Sequence, residues 1–126
     1  MTIKGYFNLR NEPVIALTVG SSLIEVLVDT GFNGSLIIPP SIAKGLELEF
    51  ERGLEEFCSV TGEVFLASPC SMEIEWFGKR ITVSVSACEQ VKEAILGSQM
   101  LKNCRLTIDY LRHTVSIREC HQGRSG

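Results

Sequence analysis

The chain has 126 residues, of which 44% are hydrophobic and 21% charged, and its formal net charge is −3. This length and balance are typical of one globular domain with its own core and exclude two domains of ordinary size. The acidic balance and the lack of a basic block argue against nucleic acid and anionic membranes as partners, and no apolar run approaches the ~18 residues of a membrane-spanning helix.

The cysteines and the first residues bear on the cellular compartment. The five cysteines are an odd number without a CxxC pair, which favours reduced thiols over a disulfide framework. Residues 1–14 lack the apolar stretch of a signal peptide. We therefore expect a cytoplasmic protein.

The first part of the chain predicts a hairpin that ends at an acid. Pro13–Val19 is rich in β-branched residues, residues 23–28 form a second apolar run, and residues 20–22 (GSS) supply the turn between them. Asp29 follows directly. Another apolar run resumes at Leu36, after which residues 41–45 (SIAKG) predict one helical turn, capped by Ser41 and ended by Gly45.

Three more hairpins are predicted further along. The clearest spans residues 71–87, where apolar and polar residues alternate on both sides of a Gly-Lys turn. A second surrounds Thr61 and Gly62 in residues 57–65, and the last covers residues 105–117 with its turn at 111–114. Residues 98–102 have the composition of a short helix. The pattern as a whole predicts an all-β barrel or sandwich.

Aspartate is scarce, since Asp29 and Asp109 are the only two in the chain. Asp29 stands at the end of an apolar strand and is followed by Thr30 and Gly31. A glycine there lets another chain approach the carboxyl group closely, but Asp-Thr-Gly is also ordinary turn chemistry. The tripeptide alone leaves a functional carboxylate and a turn cap both open.

Three segments in order resemble the retropepsin-like (clan AA) aspartic proteases. Residues 13–31 (PVIALTVGSSLIEVLVDTG) are similar to the hairpin, strand and Asp-Thr-Gly of that family, and residues 94–109 (AILGSQMLKNCRLTID) to its second signature. Residues 57–65 lie where the family has its flap. The resemblance implies a closed acid-protease barrel with one short helix near the C-terminus, in a single domain over residues 1–126. The polar residues 119–126 are expected to form a frayed tail.

The family's chemistry implies that Asp29 is a catalytic residue, in an active-site loop with Thr30 and Gly31. Two such aspartates activate one water, but this chain has a single Asp-Thr-Gly, and Asp109 is followed by tyrosine and leucine, which cannot form the same open turn. The resemblance therefore implies a homodimer that hydrolyses peptide or protein substrates without a cofactor. In the family the threonine hydrogen-bonds across the dimer axis, a role that falls here to Thr30.

The resemblance also suggests residues for the flap and the pocket. Phe32, which follows the Asp-Thr-Gly, could narrow the pocket or belong to the core. Ile95 lies in the second signature, and Val60, Thr61 and Gly62 form the predicted flap tip, where glycine permits opening. Apolar substrate residues on either side of the cleaved bond are suggested by Phe32, Val60, Val64 and Ile95.

Other readings of the sequence are weaker. The residues Cys104, His113, Cys120 and His121 match no zinc spacing, and neither histidine has the context of a Ser-His-Asp enzyme. Another class of function is a dimeric retropepsin-type barrel that binds peptides or a partner without cutting them. The retained Asp29 favours the protease, because a carboxylate at an apolar dimer axis is costly for a protein that only binds.

Overall fold

The computed structural model describes residues 1–58 and 61–120, which form ten β-strands, one α-helix and one 3₁₀ helix. The prediction of an all-β protein is confirmed. No helix in these residues is long and apolar enough to cross a membrane. The strands are β1 (Thr2–Phe7), β2 (Pro13–Val19), β3 (Ser22–Val28), β4 (Leu36–Ile38), β5 (Glu55–Cys58), β6 (Val64–Trp76), β7 (Lys79–Ala87), β8 (Ala94–Leu96), β9 (Cys104–Asp109) and β10 (Thr114–Glu119).

The four predicted hairpins are present. β2 pairs with β3, β5 with β6, β6 with β7 and β9 with β10, all antiparallel. In the last hairpin Thr114 already pairs with Asp109, so the turn occupies residues 110–113 and the predicted turn at 111–114 is displaced by one residue. Local alternation and turn residues are sufficient to specify these pairings.

Both ends of the described chain are paired more extensively than the sequence predicts. β1, which the sequence does not reveal, lies between β2 and β10 and pairs with both. Glu119 ends β10, and the Cys120 N–H donates to the Asn103 carbonyl at 2.9 Å. The predicted frayed tail at 119–126 therefore does not begin at Glu119, and residues 121–126 lie outside the described part of the chain.

The two short helices differ from the prediction in detail. Helix α1 spans Pro40–Gly45 and so ends at Gly45 as expected, but its N-cap is Pro39 and not Ser41. The reason is that proline has no N–H and a fixed φ, which suit the first helical position, here filled by Pro40. The helix near the C-terminus is a four-residue 3₁₀ helix, Ser98–Leu101.

The strand order brings distant parts of the chain together around β8. It runs β5-β6-β7-β4-β8-β3-β2-β1-β10-β9, so β8 is inserted between β3 and β4, which are consecutive in the sequence. β8 is parallel to β3 and antiparallel to β4. β2 packs against β6, far away in this order, so the sheet curls around a shared core. Fully buried side chains of that core include Ile15, Val26, Leu36, Ile74, Val85, Leu96 and Ile117.

Candidate active site

The Asp29 loop begins where β3 ends, and backbone hydrogen bonds fix the conformation of its carboxylate. The Asp29 N–H donates to the Leu96 carbonyl of β8 at 2.9 Å. Its Oδ1 accepts the Gly31 N–H at 2.9 Å, and its carbonyl accepts the Phe32 N–H at 3.2 Å. The Asp29 side chain is half-buried and Thr30 is exposed. The carboxylate is thus oriented by the turn while part of it stays open to solvent.

The second sequence signature crosses this loop and holds it from the other side. Gly97 donates its N–H to the Ser35 carbonyl at 2.8 Å, and Ser98 donates to the Phe32 carbonyl at 2.8 Å. A third bond of 3.2 Å joins the Gln99 N–H to a carbonyl of the loop. Two segments that are about sixty residues apart in the chain therefore form one backbone network around Asp29.

Glycine at position 97 is required by this crossing. A Cβ atom there would lie 2.2 Å from the Gly34 carbonyl oxygen and 2.5 Å from the Phe32 ring, distances that real Cβ atoms do not tolerate. In the sequence Gly97 belongs to residues 94–109, the segment that resembles the second signature of the family. At Gly31 a Cβ atom would lie 3.2 Å from the Asp29 Oδ1, which is tight but less severe.

The structure brings Phe32 and Ile95 together in one apolar cluster beside the loop. The rings of Phe32 and Phe57 meet edge to face, with centroids 5.6 Å apart. Phe57 is paired with Phe65 across β5 and β6. The β5–β6 hairpin therefore packs against the Asp29 loop through the contact between Phe57 and Phe32. We call residues 55–67 the candidate flap. The cluster contains the buried Ile37, Ala67 and Cys88 with the partly buried Phe32, Phe57, Phe65, Val91 and Ile95.

Two further residues predicted for the flap, Thr61 and Gly62, lie at its far end. Thr61 and Gly62 are exposed, and Gly62 has a φ of 90°, which glycine adopts without strain. Val60 lies outside the described residues. The sequence missed Phe57 and Phe65 as neighbours of Phe32, because adjacent residues such as Cys58, Val64 and Leu66 are also apolar and no alternation marks the buried face.

The other candidate residues that the structure describes lie at two opposite ends of the β9–β10 hairpin. Asp109 accepts the N–H groups of Leu111 and Arg112 at 2.9 and 3.0 Å, so it caps the β9–β10 turn. His113 stacks on Phe7 at this turn, whereas Cys104 pairs with Glu119 at the opposite end of the same hairpin. Cys104 and His113 therefore do not share a metal site. No three acidic, cysteine or histidine side chains converge within residues 1–58 and 61–120. His121 lies outside these ranges.

Cys104 lies in a setting that keeps its thiol neutral. Burial raises the pKa of Cys104, and the neighbouring Cys120 and Glu119 raise it further. A higher thiol pKa means less thiolate, which is the form that acts as a nucleophile or metal ligand. The electrostatics thus argue against nucleophilic chemistry at this end of the hairpin.

The strand order and the crossed Asp-Thr-Gly loop together form an all-β barrel that solved structures share. A crystal structure of a retropepsin-like aspartic protease from Rickettsia conorii superposes with a TM-score of 0.69 at 19% identity, covering 94% of this chain and 91% of that chain. The EIAV protease complexed with the inhibitor HBY-793 gives a TM-score of 0.63 at 20% identity, covering 76% and 90%. The chain therefore has the retropepsin-like fold, as the sequence predicted.

Sequence comparison adds little on function. No family model matches the chain. An uncharacterized protein of Archaeoglobus fulgidus is 23% identical over 128 residues, which cover 89% of this chain and 98% of that protein. The extended match agrees with a shared architecture and carries no information on activity.

Proposed function

We propose that the protein is an aspartic endopeptidase that acts as a homodimer, with Asp29 of each subunit as a catalytic residue. The observation that carries the proposal is the Asp29 carboxylate itself, oriented by Gly31 in a loop that the Gly97 segment crosses. A retropepsin-like fold with this loop intact matches the structures of two proteases. No cofactor is needed for the reaction.

The reaction needs two carboxylates with different protonation states. One takes a proton from the attacking water while the other gives a proton to the carbonyl of the peptide bond. Two carboxylates about 3 Å apart would repel by roughly 5 kcal/mol at an effective dielectric constant near 20. This repulsion separates their two proton affinities by roughly four pK units, so the pair carries one proton over a broad pH range.

The second carboxylate is proposed to come from another copy of the chain. The remaining aspartate, Asp109, is already engaged in capping a turn. Thr30 and Gly31 are exposed next to Asp29, which suits a two-fold axis passing beside this loop. In such a dimer Thr30 would hydrogen-bond across the axis, and an isolated subunit would have no activity.

The substrate is proposed to lie between the Asp29 loop and the candidate flap. Phe32 and Ile95 pack in one apolar cluster beside the loop, and in this proposal they would line the floor of that space and favour apolar side chains next to the cleaved bond. Thr61 and Gly62 at the exposed end of the flap would close over the substrate, as would Val60. We further propose that residues 1–126 form one catalytic domain and that it works in the reducing cytoplasm, in keeping with an odd number of cysteines without a CxxC pair.

The proposal is tested by comparing wild type with Asp29→Asn on unfolded polypeptides between about pH 3 and pH 8. We expect the wild type to cleave and the variant to lose at least about a thousandfold in rate, because asparagine cannot take up the proton. Mass spectrometry of the products gives the cleavage sites. Sedimentation of both proteins gives the oligomeric state, and we expect both to dimerise since the substitution removes no apolar contact.

Two outcomes contradict the proposal. A wild type that stays monomeric at all concentrations, or that cleaves no faster than Asp29→Asn, rules out the paired-aspartate mechanism. If both proteins bind peptides equally and neither cleaves, the chain is instead a peptide-binding barrel with the fold of a protease.

A further inference from the structure

A second apolar surface lies outside the candidate active site. A groove of about 430 Å³ opens between the base of the candidate flap, the residues before β5 and the end of β7. Three of its large apolar side chains are more than half exposed, namely Phe50 at 52%, Leu54 at 65% and Leu66 at 51%. We call this the outer groove. Its lining residues include Pro40, Phe50, Leu54, Leu66, Ala87 and Glu89.

The outer groove is on the side of the candidate flap that faces away from Asp29. Leu66 is adjacent in β6 to Phe65, whose ring belongs to the cluster beside the Asp29 loop. Since successive side chains of a strand point to opposite faces, Leu66 faces away from that cluster. Phe50 is bridged to Cys70 further along the same strand, which fixes the groove's other wall. The groove is thus a separate surface and not an extension of the proposed substrate site.

The outer groove has an acidic lining residue, Glu89, and lies beside an acidic segment of the chain. Residues 47–63 contain six glutamates and one arginine. Among the described residues one ion pair is present, between Arg10 and Glu93. The carboxylates of Glu51, Glu56 and Glu89 therefore have no basic partner within 4 Å in this part of the chain. Glu51 also acts on the interior, because the pKa of the buried Cys70 is raised first by burial and then by Glu51 and Glu55. The groove therefore combines an apolar floor with an acidic rim.

The neighbouring sheet edge suits an extended occupant. β5 is an end strand in the sheet order, with β6 as its neighbour on one side. An incoming segment in β conformation could align along this edge and direct every second side chain towards the groove. The side chains between them would then lie among the glutamates.

We propose that the outer groove binds an extended polypeptide segment that carries both large apolar and lysine or arginine side chains. Apolar residues of the segment cover Phe50, Leu54 and Leu66, and its basic residues meet the acidic rim. Charge complementarity selects this partner over an acidic or a purely apolar one. The inference does not depend on the proposed protease activity, since the surface is distinct from Asp29.

The test is a binding titration with a fluorescein-labelled heptapeptide of alternating lysine and leucine, followed by fluorescence anisotropy. Using Asp29→Asn protein alongside wild type separates binding from any cleavage. We expect Leu54→Ser with Leu66→Ser to weaken binding about tenfold or more, because two exposed apolar contacts are lost. Glu51→Gln with Glu56→Gln should weaken it about two- to tenfold at about 50 mM salt and less at about 500 mM.

Matched controls identify the surface. Leu9→Ser with Leu111→Ser removes two leucines elsewhere that are even more exposed, at 107% and 88%, and should leave binding within about twofold. A peptide alternating glutamate and leucine should bind at least about tenfold more weakly. The inference is overturned if the lysine peptide does not bind, if the glutamate peptide binds equally well, or if the control variant loses as much affinity as the groove variant.

Discussion

The two aspartates of this protein make nearly the same local hydrogen bond and stand in very different surroundings. Asp29 accepts the N–H of the residue two positions ahead at 2.9 Å, and so does Asp109. Each stands just after or at the end of a strand and begins a turn. By local geometry alone, either one could be a turn cap.

The difference lies in what crosses each turn. The Asp29 loop is bonded to Leu96 and to the segment at 97–99, which comes from a distant part of the chain. The Asp109 turn closes a hairpin of neighbouring strands, and its Tyr110 and His113 pack against Phe7. A carboxylate becomes a candidate catalytic group here because of the tertiary crossing, while the same turn without that crossing only stabilises a hairpin.

The strongest test of this difference is to disrupt the crossing itself. Gly97→Ala should lower the free energy of unfolding by about 3 kcal/mol, because the new methyl group meets the Gly34 carbonyl in a packed site. Gly45→Ala is the matched control, since no atom lies within 4 Å and alanine favours the end of α1, so stability should rise by about 0.5 kcal/mol. Urea denaturation at a fixed protein concentration measures both, and equal effects would contradict the close approach.

A mixing experiment asks whether Asp29 acts in pairs while Asp109 does not. Under subunit exchange, about a ninefold excess of Asp29→Asn should lower the peptidase activity of a fixed amount of wild type about tenfold, because most wild-type subunits then have an inactive partner. The same excess of Asp109→Asn should instead add activity. Unchanged activity in the first mixture would mean that each subunit works alone.

The Asp109 turn should respond only in stability. Asp109→Ala removes the acceptor of the Leu111 and Arg112 N–H groups and should cost about 1 kcal/mol. Asp109→Asn retains an acceptor oxygen and should cost clearly less. Both are measured by urea denaturation beside a cleavage assay, and a loss of cleavage at wild-type stability would show that Asp109 belongs to the active site.

The smallest expected effect concerns the contact between the loop and the flap. A double-mutant cycle of Phe32→Leu and Phe57→Leu should give a coupling energy of about 0.5 to 1 kcal/mol for the edge-to-face pair. Phe7 packs at the Asp109 turn, so a cycle of Phe32→Leu with Phe7→Leu should give a coupling near zero. Coupling of similar size in both cycles would point to a general loosening of the barrel.

The sequence by itself determined the hairpins and the position of Asp29 at the end of β3. Both follow from neighbouring residues, since alternation sets the faces of a strand and glycine or polar residues set its turns. It also predicted that Phe32 and Ile95 lie near the loop, through resemblance to a family. The predicted cap at Ser41 was wrong because Pro39 and Pro40 precede it, and the helix begins at Pro40 with Pro39 as its N-cap.

Only the tertiary structure decided which strands meet across long distances. The insertion of β8 between β3 and β4, the pairing of β1 with β10, and the contact of Phe57 with Phe32 all join residues far apart in the chain. No local pattern specifies such partners, because a strand's alternation fixes which side chains face inward but not which strand lies beside it. At the Asp29 site, the bond from Gly31 to the carboxylate is therefore set by neighbouring residues, whereas the bonds to residues 96–99 depend on the tertiary structure.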